Sequence, residues 1–240
     1  MIGSSRYFRF DISRIIKKSI GEERTRRREK SMKQPIDLKT WNRREHFEYF
    51  FKQDVPFWSV TANVECTGIY RWCKEHGRSF AIAYHWASLK TANGIEAMRM
   101  RIENDLPVLF DAVHASTTVA RPDGTFGFSF NYFDPDFEAF HESMLKDIKR
   151  IEGESGLKYT HPEADVIFYT VLRKVCFTSA EHSFSLGSQG AIPCFAFGEA
   201  FEENGKMLLP HSIRVNHALV DGQHVSRYYE QLEQIMNAFR

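Results

Sequence analysis

The chain has 240 residues, 42% of them hydrophobic and 26% charged, with a net charge of +1 and 21 phenylalanines. This is the composition of one globular domain or two small ones, and without a whole-chain basic field it argues against a nucleic-acid partner. No apolar run reaches the roughly 18 residues that span a bilayer, no secretory leader opens the chain, and the four cysteines form neither a C-x-x-C pair nor a zinc pattern, so a cytoplasmic protein with free thiols, no metal and no membrane partner is expected.

Residues 1–31 differ from the rest. They carry a net charge of +6 against −5 for the remainder, and the run Arg24-Thr25-Arg26-Arg27-Arg28 follows a loosely amphipathic stretch. The reading is a basic, disordered N-terminal extension, with a transit peptide or membrane-surface helix as alternatives. Met32 then opens a single domain over 32–240 with no repeat or linker. Asn42–Lys52 reads as a helix with Phe47, Phe50 and Phe51 on one side, and Phe57–Glu65 as a strand. Thr67 and Ser79 are candidate caps for two further helices, the second carrying Phe80, Ala83, Trp86, Ala87 and Lys90 at helical spacing. Val108–Val113, Ser116–Arg121 and Thr125–Tyr132 are rich in strand formers, the last two around a Pro122-Asp123-Gly124 turn. Asp136–Glu154 is an amphipathic helix. Val166–Val171, Lys174–Ser179, Ile192–Ala200 and Met207–Val215 read as strands, and Asp221–Phe239 closes the chain as a helix. Long β runs mixed with helices imply an α+β two-layer sandwich. The many phenylalanines read as an aromatic core with a few lining an apolar pocket.

The segment richest in chemistry is Arg214-Val215-Asn216-His217-Ala218-Leu219-Val220-Asp221-Gly222-Gln223-His224-Val225. A strand delivers Asn216 and His217 to its end. A short loop follows, Asp221 caps the last helix, and Gly222 permits a close chain approach. On pattern alone, H-x-x-x-D-G describes equally a structural histidine beside a capping aspartate.

The stretch resembles the signature of the chloramphenicol acetyltransferase family, H-H-x-x-x-D-G-F-H-V. Two further segments resemble that family at matching spacing: Asp37 to Phe47, which follows D-x-x-x-W-x-R-x-E-H-F, and Phe177-Thr178-Ser179. The resemblance spans Pro35 to Asn237. It implies the CoA-dependent acyltransferase fold with a mixed sheet, and an antibiotic-resistance enzyme that moves acetyl from acetyl-CoA to a chloramphenicol-like hydroxyl acceptor. It further implies a homotrimer with sites between subunits. His217 matches the general base, a role imidazole side chains commonly fill near neutral pH. Thr170 falls where the family has a serine that donates to the tetrahedral intermediate. Asp221 and Arg43 match a supporting ion pair, and Asn216 replaces the first histidine of the usual pair. Tyr49, Phe50, Ala120, Ala180 and His182 fall at the acceptor pocket. Phe50 stands for a tyrosine there, and Ala120, Ala180 and His182 stand for bulky apolar side chains. Ala196 replaces a threonine. Two alternatives remain: the same reaction on another hydroxylated small molecule, and a non-catalytic binding protein of this fold. A dihydrolipoyl acyltransferase core, which also carries H-x-x-x-D-G, is a weaker reading because no lipoyl domain precedes it.

Overall fold

The computed structural model describes residues 32–159, 161, 163–183 and 191–240; the basic segment 1–31 lies outside the described residues. Among those described, ten strands and six helices follow in the order β1 (Lys33–Pro35), α1 (Arg44–Phe51), β2 (Phe57–Glu65), α2 (Thr67–Glu75), α3 (Phe80–Asn93), α4 (Glu96–Arg99), β3 (Met100–Glu103), β4 (Leu106–Phe110), β5 (His114–Ala120), β6 (Phe126–Asn131), α5 (Phe137–Glu152), β7 (Val166–Val171), β8 (Cys194–Phe197), β9 (Phe201–Glu203), β10 (Lys206–Asn216) and α6 (Gly222–Asn237). None of these helices is long and apolar enough to cross a membrane.

The large sheet has the order β2-β10-β8-β7-β5-β6, with β9 also pairing β10. It is mixed: β7 runs parallel to β5 and β8, and the other neighbours are antiparallel. Strand β10 pairs with β2 from Leu208↔Glu65 to Asn216↔Phe57. Alternation sends Leu209, Ile213 and Val215 of β10, with Tyr169, Phe195 and Phe197 of the neighbouring strands, into the core under the helices. Ser212, Arg214 and Asn216 of β10 point to the opposite, outer face. Helix α3 lies at the centre of the helical layer and is buried along Ile82–Leu89, so the expected one-sided stripe is in fact a helix buried all round. Ser79 caps it by accepting from the Ile82 amide. The two layers fit the sandwich expected from the sequence.

A small sheet, β1-β4-β3, stands beside the large one. The buried Arg101 of β3 joins them, its guanidinium donating to the carbonyls of Met98, Met100, Ala164 and Val166. The core also holds a polar chain. Ser88 Oγ bridges the hydroxyls of Tyr169 and Tyr228 at 2.9 and 2.7 Å, and Tyr228 meets His211 Nε2 at 3.0 Å.

Three expectations are corrected. Lys174–Ser179 is not a strand: Lys174 takes a positive φ of 63°, and Glu199 accepts the Lys174 amide, so the chain turns away from the ladder. Thr67 does not cap α2, because its hydroxyl accepts the Met207 amide and meets Glu65. Gly222 makes no close approach, since a Cβ there would meet nothing within 4 Å.

Burial pushes the imidazoles of His85, His114 and His211 down to about 4, about 4 and about 3. Below an unfolded imidazole pKa near 6.5, the unfolded chain binds protons that these folded rings refuse. Stability therefore falls as pH drops from about 6.5 toward 4, by up to about 1.4 kcal/mol per pH unit for each ring. The melting temperature should decline between pH 6.5 and 5. The decline should be shallower in His211→Gln and His85→Gln than in the parent, and equal slopes would mean that these rings do not stay neutral in the fold.

Candidate active site

His217 lies one residue past the end of β10. Its amide donates to Pro56 O at 2.7 Å, tying it to the residue before β2. Asn216 shapes the turn: its Oδ1 accepts the Ala218 amide at 2.9 Å, and its carbonyl accepts the Leu219 and Val220 amides. This local role suits asparagine, whose side chain readily bonds the backbone two residues on. The imidazole stacks on Phe50 of α1 at 3.8 Å with 7° between planes, and Trp58 lies 5.1 Å away. Trp58 is itself fixed by its Nε1–H donating to Val220 O. The Nδ1 atom of His217 is buried without a hydrogen-bond partner.

Asp221 follows four residues later and holds two elements. As the N-cap of α6 it accepts the amides of Gln223 and His224, and His224 Nδ1 accepts the Asp221 amide, forming a capping box. Its other oxygen lies 2.7 Å from Arg43 Nη1. Burial opposes ionisation of Asp221, but the facing His224 and Arg43 more than offset it and hold the carboxyl below its ordinary range. His224 is held below its ordinary value chiefly by burial, so near neutral pH Arg43 is the standing cationic partner. Sequence reading passed over His224, although it stands at the second histidine of H-x-x-x-D-G-x-H. Arg43 is placed by the segment before α1: Asp37 O accepts the Trp41 amide, Arg43 O accepts the Phe47 amide, and the Trp41 ring packs 6.0 Å from Phe47. The Asp37, Trp41 and Phe47 positions of the pattern thus form the turn and packing that set Arg43 beside Asp221.

Thr170 is elsewhere. It is registered with Ala196, and Ala196 with Ser212, so Thr170 lies two strands from β10 and five residues back from His217. At about 4.8 Å per strand and 3.3 Å per residue, that is a separation of about 15–20 Å within one chain. Thr170 faces outward in the same row as Ser212. Ala120, at the end of β5, shares this face by alternation with Ser116, which is opposite Phe168. Ala180 and His182 belong to a strap that crosses the outer face: Ala180 O accepts from Ser212 Oγ, and Glu181 accepts from Ser59 Oγ at 2.6 Å.

The expected site residues thus form two groups. His217, Asn216, Asp221, Arg43 and Phe50 meet at the end of β10, with Tyr49 edge-on to Phe50 and 65% exposed. Thr170, Ala120, Ala180 and His182 share the outer face. One chain does not bring the groups together.

Residues 32–233 match the profile of the chloramphenicol acetyltransferase family. A chloramphenicol acetyltransferase of Clostridium perfringens is 27% identical over 207 residues, covering 85% of this chain and 94% of that protein. Another, of Streptomyces acrimycini, is 28% identical over 207 residues, with coverages of 84% and 93%. A solved chloramphenicol acetyltransferase structure superposes with a TM-score of 0.81 at 28% identity, covering 85% of this chain and all (100%) of that one.

The double duty of Asp221 yields separable losses. Asp221→Asn keeps a good cap and removes the ionic partner of Arg43, which should cost about 1–3 kcal/mol. Asp221→Ala should lose about 1 kcal/mol more through the cap. Denaturant titration measures both, and equal stability of the two variants would show that the cap contributes nothing.

Proposed function

The chain belongs to the chloramphenicol acetyltransferase family, and we propose that it transfers acetyl from acetyl-CoA to a hydroxyl of chloramphenicol with His217 as general base. The observation that carries this reading is the clamp on His217. Its backbone is tied to Pro56, its ring stacks on Phe50 with Trp58 5.1 Å away, and its loop is held by the Arg43–Asp221 bridge. A base held this firmly pays little reorganisation when the reaction occurs.

The acceptor hydroxyl gives its proton to the imidazole as its oxygen bonds to the thioester carbon. Negative charge moves to the former carbonyl oxygen, where the Thr170 hydroxyl donates. Collapse breaks the C–S bond, and the imidazolium returns the proton to the leaving thiolate, giving an O-acetyl ester and free CoA thiol. No enzyme nucleophile is consumed. With Nδ1 buried, Nε2 is the nitrogen that works.

The distance between Thr170 and His217 within one chain supports a shared site, with His217 of one subunit facing the Thr170 face of the next in a homotrimer. The four unpaired cysteines suit a reducing compartment, the cytoplasm. Small or polar residues at Ala120, Ala180 and His182 favour, as a second reading, a hydroxylated acceptor other than chloramphenicol.

His217→Ala should lower kcat by about 10²–10⁴-fold while leaving a folded protein, and Thr170→Val should lower it by about 10²–10³-fold. Thiol release from acetyl-CoA measures both. Mixing the two inactive chains should restore part of the activity, because some interfaces then hold both intact residues; no recovery in mixed assemblies would end the shared-site reading. The family match begins at Met32, so a chain starting there should keep its melting temperature and turnover, and loss of either would give residues 1–31 a role in the domain.

A further inference from the structure

His224 closes the capping box of α6, and its Nδ1 stands between a donor and an acceptor. The Asp221 amide lies 3.2 Å from it and Asp221 Oδ1 lies 2.9 Å from it. One ring nitrogen cannot serve both. A neutral imidazole with its proton on Nε2 has a lone pair at Nδ1, which takes the amide. A protonated imidazole carries a hydrogen on both nitrogens, so its Nδ1–H can only donate, and it turns to the carboxylate. In the neutral arrangement Oδ1 is left to the Gln223 and His224 amides, and Oδ2 to Arg43 Nη1 at 2.7 Å. In the charged one the Asp221 amide loses its acceptor, Oδ1 takes a third donor, and a second cation joins Arg43 at a single carboxylate. The charged groups acting on the ring are Asp221 in the cap, Arg43 before α1 and Arg227 one turn on in α6. Burial first, with Arg43 and Arg227, outweighs Asp221 and holds the ring below its ordinary value, so the neutral arrangement belongs to neutral pH.

We infer that His224 is a positioning residue: by passing Nδ1 from the Asp221 amide to the Asp221 carboxylate when it gains a proton, its ring sets how firmly the loop from His217 to Asp221 is held. That loop has Asn216 at its start and the Asp221 cap at its end, so a bond lost at the cap loosens one of its two anchors. The consequence for turnover rests on the acyltransfer reading above, and the exchange of hydrogen bonds does not. On that reading His217 is best oriented while His224 is neutral, and acid reaches the reaction through His224 as well as through the base itself.

The test uses the full chain and two variants across about pH 8 to 5. His224→Gln puts at this position an amide oxygen that accepts at every pH, as a capping box requires, and His224→Ala has no acceptor at any pH. In the amide NMR spectrum the Asp221 resonance should shift with pH in the parent, in step with the His224 ring nitrogens, and stay in place in His224→Gln. In thiol release from acetyl-CoA with chloramphenicol, His224→Ala should lower kcat by about threefold or more at about pH 8 with little change in KM, and His224→Gln should recover most of that loss. Toward about pH 5.5 the parent should lose about threefold more kcat than His224→Gln. An Asp221 amide that shifts alike in the parent and His224→Gln, or not at all in the parent, overturns the inference, as does a kcat profile that His224→Gln leaves unchanged. A parent that releases no thiol at any pH overturns the reading of chloramphenicol acetylation instead, and the amide shift still decides the switch.

Discussion

Because β10 is hydrogen-bonded on both edges, to β2 along Leu208–Asn216 and to β8 and β9 on the other side, it cannot slide. A slip of one residue would turn Ile213 and Val215 out of the core and Arg214 and Asn216 into it. The register therefore fixes where the strand ends, and His217 is the next residue. The loop that follows is short enough for Asn216 to hold its start and Asp221 its end. Arg43 ties that end to α1, and Phe50 of the same helix lies on the imidazole. Each of these contacts presupposes the register of β10.

The same rigidity keeps His217 away from the Thr170 row of the outer face. A flexible chain could fold Thr170 toward His217, but rows registered across β10, β8, β7 and β5 leave no such freedom. What the sheet denies within one chain, an edge-to-face meeting of two chains would supply, as the shared site proposed above requires. The buried Tyr169–Ser88–Tyr228–His211 chain contributes on the other side of the sheet. Its hydroxyls and imidazole are paired, and they join helices α3 and α6 to β7 and β10 through directional bonds that packing alone would not supply.

Much of this was legible in the sequence, and the failures have physical causes. Phe57–Glu65 and Val166–Val171 form strands at the expected bounds because their β-branched and aromatic content is matched by ladder partners. Asn204-Gly205, with φ of 52° and 76°, is a hairpin signal that was passed over, as was Asn104-Asp105 with φ of 50° and 64°; both demand the left-handed region that these residues tolerate. Lys174–Ser179 has strand-like composition, but a glutamate twenty-five residues away claims its first amide, and no local pattern reports that. The pairing of Asp221 with Arg43 was readable through the motif resemblance. The gap between Thr170 and His217 was not, because strand order and register are properties of the whole sheet.

The parallel stack of Phe50 on His217 has one more consequence. A phenyl face is electron-rich and attracts a cation more strongly than a neutral ring. In the acyl transfer proposed above, His217 is neutral before reaction and positively charged as the acceptor proton arrives. Phe50 then contributes little to the resting base and more to its charged form, so the attraction grows along the reaction coordinate and favours the transition state over the bound substrates. In that proposed transfer, a side chain with nothing to donate or accept would assist the proton's arrival electrostatically.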